Sequence, residues 1–215
     1  MRIAASILGV AIVAGVASAD SVYLQHTGHT GNYGKTVTAT LSNGFTFEGG
    51  STQKSVWAGL ESYKADDSAF KSFVCELTQN VGTDTYDFMN LTDSMSADKA
   101  GLIYGLFNST NRGADANTNT KAAAFQALIW EIVYDYNGNA SSLALGAGNV
   151  RFSGVSGTQF SNYKNMAMGG LKSASVIALN SDSKGDAFRI VPLPSAAGMA
   201  GLGLLALAST RRRQA

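Results

Sequence analysis

The chain is poor in the residues that usually announce chemistry. Its 215 residues include one cysteine, two prolines and two histidines. A single cysteine excludes an intramolecular disulfide framework and any Cys-rich metal site. Charged residues make up 14% against 45% hydrophobic, which excludes a disordered polyelectrolyte and a charge-laced coiled coil. There is no long run of one charge sign. The net charge of +1 misleads: four of the 16 basic residues, Arg2, Arg211, Arg212 and Arg213, lie in terminal segments, leaving 12 against 15 acids. Such a body gives no basic footprint for nucleic acid. What is abundant is glycine, 24 residues without a collagen period, which points to turn-rich β structure.

Both ends read as addresses. Met1-Arg2, an apolar run from Ile3 to Val16 and the small residues Ala17-Ser18-Ala19 have the three parts of a secretory signal peptide, so residues 1–19 are expected to be removed. At the other end, Val191-Pro192-Leu193-Pro194 holds both prolines and leads into an Ala/Gly/Leu/Met stretch, Ser195 to Ser209, closed by Arg211, Arg212 and Arg213. That stretch has about the length to cross a bilayer, with the arginines on the cytoplasmic side. The short Pro motif, apolar helix and Arg cluster in this order resemble the PEP-CTERM sorting signal, in its VPLP form, of Gram-negative and planctomycete-type bacteria. Leu193 stands where the name-giving motif has Glu. The resemblance implies export, retention in the inner membrane and processing by an exosortase-type enzyme near the Pro motif. An ordinary C-terminal anchor would share the topology and keep its tail.

Residues 20–190 form one expected domain, with 191–215 as the anchor. Strands are expected in Lys35 to Leu41, Gly44 to Glu48, Ser55 to Gly59 and Ser72 to Leu77, with a hairpin turn at Ser42-Asn43-Gly44. Ser96 caps an expected helix carrying Leu102, Ile103, Leu106 and Phe107. Thr120 is expected to cap a second through about Tyr136, with Ala122, Phe125, Ile129 and Val133 on one face. A third helix is expected from Thr158 to Met168, then a closing hairpin of Val176 to Leu179 and Ala187 to Val191. The expected class is α+β, dominated by strands.

Two side chains stand out in this body. Cys75 is a lone thiol in a chain expected to enter an oxidising compartment, and alternation puts it on the core face with Phe73 and Leu77. Gln126 projects a carboxamide from the apolar stripe of the second helix. Attack of the thiol on the Gln carbonyl with loss of ammonia would join them in an internal thioester. Phe-Val-Cys-Glu-Leu and Phe-Gln-Ala-Leu-Ile-Trp-Glu resemble the two half-motifs of bacterial thioester adhesion domains, with Phe125 where that family has Thr. The resemblance implies a single-use acyl donor that captures surface amines, and no turnover enzyme. Phe73, Phe125 and Trp130 would shield the bond; Glu76 and Glu131 are the candidate proton acceptors. The other reading is a buried Cys beside a core Gln that hydrogen-bonds backbone across the helix–sheet junction. The protein would then be a passive structural or exopolysaccharide-binding surface protein.

Other signals are weaker. His26-Thr-Gly-His29 lacks a third ligand nearby and reads as a solvated loop. The run from Asn180 to Asp186 reads as a hairpin turn, because Lys184 occupies a position where a calcium loop needs oxygen. No cofactor or metal is expected, and no Ser-His-Asp arrangement favours a hydrolase. Replacing Arg211 to Arg213 with neutral residues is expected to leave an unprocessed or poorly retained precursor, measured by cell fractionation and immunoblotting of the full chain. Unchanged processing and display would refute an exosortase-type tail.

Overall fold

The computed structural model describes residues 21–66, 68–171 and 176–190. The leader and the C-terminal sorting segment expected from the sequence lie outside them. Among the described residues, no helix is long and apolar enough to cross a membrane.

The chain is α+β and rich in strands. The strands are β1 (Ser21–Leu41), β2 (Gln53–Ala65), β3 (Ser68–Val74), β4 (Asp84–Asn90), β5 (Val150–Ser153), β6 (Val176–Asn180) and β7 (Ala187–Ile190); the helices are α1 (Leu91–Ser94), α2 (Ala97–Ser109), α3 (Asn119–Tyr134) and α4 (Gly157–Gly169). Among the described residues, all strand pairings are antiparallel. The order β2-β3-β7-β6-β4-β1-β5, with a further β2–β1 pairing, returns on itself through β1. That closure is possible because β1 is long and divides its partners. Ser21 to Leu24 pair with β4, Gln25 to Thr40 with β2, and Thr38 to Leu41 with β5.

Two cores follow. Leu24, Tyr63, Tyr86, Leu179 and Ala187 form the smaller, among the strands. The larger joins Val37, Ala39 and Leu41, the inward side of an alternating Val/Thr run, to the helices. Helix α3 lies at its centre. Instead of one apolar face, every residue from Ala122 to Ile132 is buried. The three alanines at 122–124 make this feasible, because small side chains let strands and helices approach on several sides. Helices α2 and α4 pack backbone to backbone: a Cβ on Gly105 would overlap the Ala167 carbonyl oxygen.

Ser96 caps α2 as expected, accepting from the Lys99 N–H. The α3 cap is Thr118, two residues earlier than the sequence suggests, and the helix ends at Tyr134. The Ser42-Asn43-Gly44 turn forms, with positive φ at Asn43 and Gly44, but Gly44 to Glu48 is no strand. Gly49 and Gly50 turn the chain directly after that run, at φ 91° and 82°, and the pairing edge of β1 goes to the longer β2. The segment instead folds inward to bury Phe47. The closing hairpin β6–β7 is present, its loop fastened by Ser181 and Ser183 hydroxyls to Asp84.

Gly105→Ala is expected to cost ~1–3 kcal/mol by forcing α2 and α4 apart, read as a lowered thermal midpoint; a midpoint equal to the parent's would contradict this close approach.

Candidate functional site

Strand β3 changes neighbours along its length, and that change creates the site. Its pairing with β2 runs from Ala65↔Ser68 to Glu61↔Ser72, and its pairing with β7 begins at Phe73↔Phe188 and Val74↔Ala187. The Cys75 N–H donates to the Asp186 carbonyl at 2.8 Å, continuing the β7 side. In an antiparallel ladder alternate residues turn their peptide groups to opposite edges. Val74 therefore turns its N–H and C=O toward the edge that β2 has left.

Gln126 fills that vacancy. Its Oε1 accepts from the Val74 N–H at 3.1 Å and its Nε2 donates to the Val74 carbonyl at 2.5 Å. The carboxamide thus behaves as a one-residue strand partner, and it is fully buried. Without it, two buried backbone groups would be orphaned at ~1–3 kcal/mol each.

Gln126 thus holds the N–H and C=O of Val74, the residue that immediately precedes Cys75. The sulfur side chain belongs to the larger core with Phe73 and Leu77. Burial pushes the thiol pKa well up, helped by the charges of Asp186 and Glu76. Cys75 is therefore a neutral thiol at rest. It also lines a cleft of about 480 Å³ with Glu76, Met95, Lys99, Tyr134 and Asp186 among others. Lys99 donates from Nζ to the Val133 carbonyl at 2.6 Å, and burial lowers its pKa. Burial raises the Asp186 pKa to about 6.

The aromatic candidates divide. Phe73 and Phe125 pack against each other with ring centroids 4.5 Å apart, and both touch Phe107. Trp130, one turn beyond Gln126, stacks instead on Phe152 of β5. The two acids differ as well. Strand β3 ends at Val74, so alternation no longer governs Glu76, which lines the Cys75 cleft and accepts from the Thr78 hydroxyl. Glu131 is fully buried; its Oε2 accepts from the Ala144 N–H at 3.1 Å and its Oε1 has no partner among the described residues. Burial pushes its pKa up to about 9, so at neutral pH it is a protonated acid and a poor proton acceptor.

The surroundings of the histidines differ from the solvated loop expected of them. They lie on β1, not in a solvated loop, and both bond the buried carboxylate of Glu61. The missing partner is 32 and 35 residues away in sequence, across a strand pair. Among the described residues, no group of three His, Cys, Asp or Glu side chains is placed to hold a metal.

The Glu131 environment has a measurable consequence. In the unfolded chain its carboxyl ionises near 4.5, whereas folding holds the proton to about 9. Between those values the unfolded state binds fewer protons, so Glu131 lowers stability as pH rises, at up to ~1.4 kcal/mol per pH unit. Glu131→Gln, which keeps an acceptor for Ala144, is expected to remove this slope and to gain on the parent from pH 5 to 9 in denaturant unfolding. Parallel stability curves would refute a neutral Glu131. No protein-family model, curated protein or solved structure matches this chain.

Proposed function

We propose that this is an exported surface protein, tethered through its C-terminal segment and processed by an exosortase-type enzyme, whose Cys75 and Gln126 form an internal thioester for covalent capture of amines. The observation that supports this reading most is the docking of a fully buried carboxamide on the peptide next to the chain's one thiol. Cys75 also lines a cleft by which an amine could approach.

The chemistry balances without a cofactor. Cys75 Sγ bonds to the Gln126 side-chain carbonyl carbon, the C–N bond breaks, and the thiol proton leaves on ammonia. An incoming primary amine then bonds to that carbon and returns a thiol to Cys75, leaving a secondary amide. Each molecule acts once, as an adhesin and not as a turnover enzyme. The Val74 hydrogen bonds must be surrendered for the first step. They are the specific observation that favours the second reading, a passive structural or exopolysaccharide-binding surface protein in which Gln126 only completes the sheet edge.

Intact mass separates the two. A thioester lowers the mass of the chain by about 17 Da, and methylamine then adds about 31 Da. Cys75→Ala is expected to abolish both changes. Mass equal to the unmodified chain, or amine labelling that survives Cys75→Ala, would refute the thioester. A 17 Da loss that resists methylamine would instead indicate capture by an internal amine, for which Lys99 in the same cleft is the candidate.

A further inference from the structure

Strand β1 breaks its own alternation at one place. His26 pairs with Tyr63 and Gly28 with Ser62, so Thr27 is an extra residue, and Gly28 takes φ 109°. In a regular strand, residues three apart face opposite sides; the bulge turns His26 and His29 to the same side. There they converge on Glu61 of β2. His26 Nε2 lies 2.9 Å from Glu61 Oε2, and His29 Nδ1 lies 2.9 Å from Oε2 and 3.0 Å from Oε1. A carboxylate 2% exposed is thereby held by two imidazoles. Burying it this way costs desolvation that an apolar residue would not incur.

These groups line a cleft of about 240 Å³ together with Trp57, Trp130 and Gln79. The His29 and Trp57 rings stack, with centroids 4.5 Å apart and planes 18° from parallel. Three buried polar atoms on the lining residues have no hydrogen-bond partner among the described residues: Trp57 Nε1, Trp130 Nε1 and Gln79 Oε1. Trp130 is only 2% exposed. Buried polar groups are ordinarily satisfied, so unpaired donors and an unpaired acceptor on residues that share one cleft point to a molecule that both accepts and donates. Trp57 and His29 stack on each other and Trp130 on Phe152, so these rings give the cleft aromatic edges against which carbon-bound hydrogens can pack. The volume suits one six-membered ring bearing hydroxyls.

We propose that this cleft binds a single neutral pyranose, free or at the end of a glycan chain. Hydroxyl oxygens accept from the two indole N–H groups, and hydroxyl protons go to Gln79 Oε1 and the Glu61 carboxylate. The site does not depend on the thioester, and a Cys75→Ala chain is expected to bind equally well.

The test is built into the composition, because Trp57 and Trp130 are the chain's two tryptophans and both line the cleft. The full chain is titrated with glucose, galactose, mannose and N-acetylglucosamine and with their methyl glycosides, reading tryptophan emission. A saturable change with at least one sugar is expected, half-complete on the order of 1 mM. Glu61→Gln and Gln79→Ala are expected to weaken it by about tenfold or more, with thermal unfolding confirming that each variant is folded. Gln79 is only partly buried, so its variant supplies the answer should Glu61→Gln not fold. Binding of the methyl glycosides assigns the site to chain ends; their rejection assigns it to free sugars. An emission unchanged by every sugar at 100-fold that concentration would overturn the proposal, as would a response undiminished in folded Gln79→Ala. So would a response to Zn²⁺ alone that His26→Ala and His29→Ala abolish.

Discussion

The fold depends on a handover. Strand β3 must release β2 and take up β7 within two residues, and at that point one peptide, Val74, would face the interior unpaired. The Gln126 carboxamide supplies both a donor and an acceptor in the geometry of a neighbouring strand. No apolar residue could do so, and a carboxylate would supply no donor. The register of α3 on the sheets is therefore fixed by hydrogen bonding as well as by packing. The proposed acyl chemistry would start from the same placement, since the contact that closes the sheet edge docks the carboxamide on the residue before Cys75.

The interior position of α3 explains why its polar residues matter. A helix with one wet face can carry glutamines and glutamates without consequence. Here Gln126, Trp130 and Glu131 are all enclosed, and each meets a different fate. Gln126 is satisfied twice, Glu131 is half-satisfied and keeps its proton, and Trp130, which lines a cleft, keeps a buried N–H without a partner among the described residues. Full satisfaction gives rigidity; partial satisfaction leaves chemical potential for ligands and protons.

Local patterns were legible in the sequence wherever one rule acted alone. The Ser96 cap, the span of α4 to within a residue at each end, and the β6–β7 hairpin follow from capping chemistry and period. So did the singling out of Cys75 and Gln126, because a polar group in an apolar stripe is an anomaly at any fold. Strand β4, Asp-Thr-Tyr-Asp-Phe-Met-Asn, was hidden by its Asp and Asn residues, which disfavour strands; pairing to β1 and β6 on its two sides overrides that preference. Strand β5 has four residues, too few to show a period. The histidines looked solvated because the bulge that aligns them and the acid that holds them belong to different strands. Such clusters arise from register, and register is a property of the assembled sheet.

Strand β7 has a mechanical meaning. It is the last described strand, held by four residue pairs to β6 and two to β3. Tension applied beyond residue 190 enters the domain along this ribbon. Its next link inward is the Asp186 carbonyl, which accepts from the Cys75 N–H. In a molecule pulled by its C-terminal end, the load falls first on the β6 and β3 pairs of this strand and then on the Asp186–Cys75 bond, so a pull bears on the backbone beside the lone thiol.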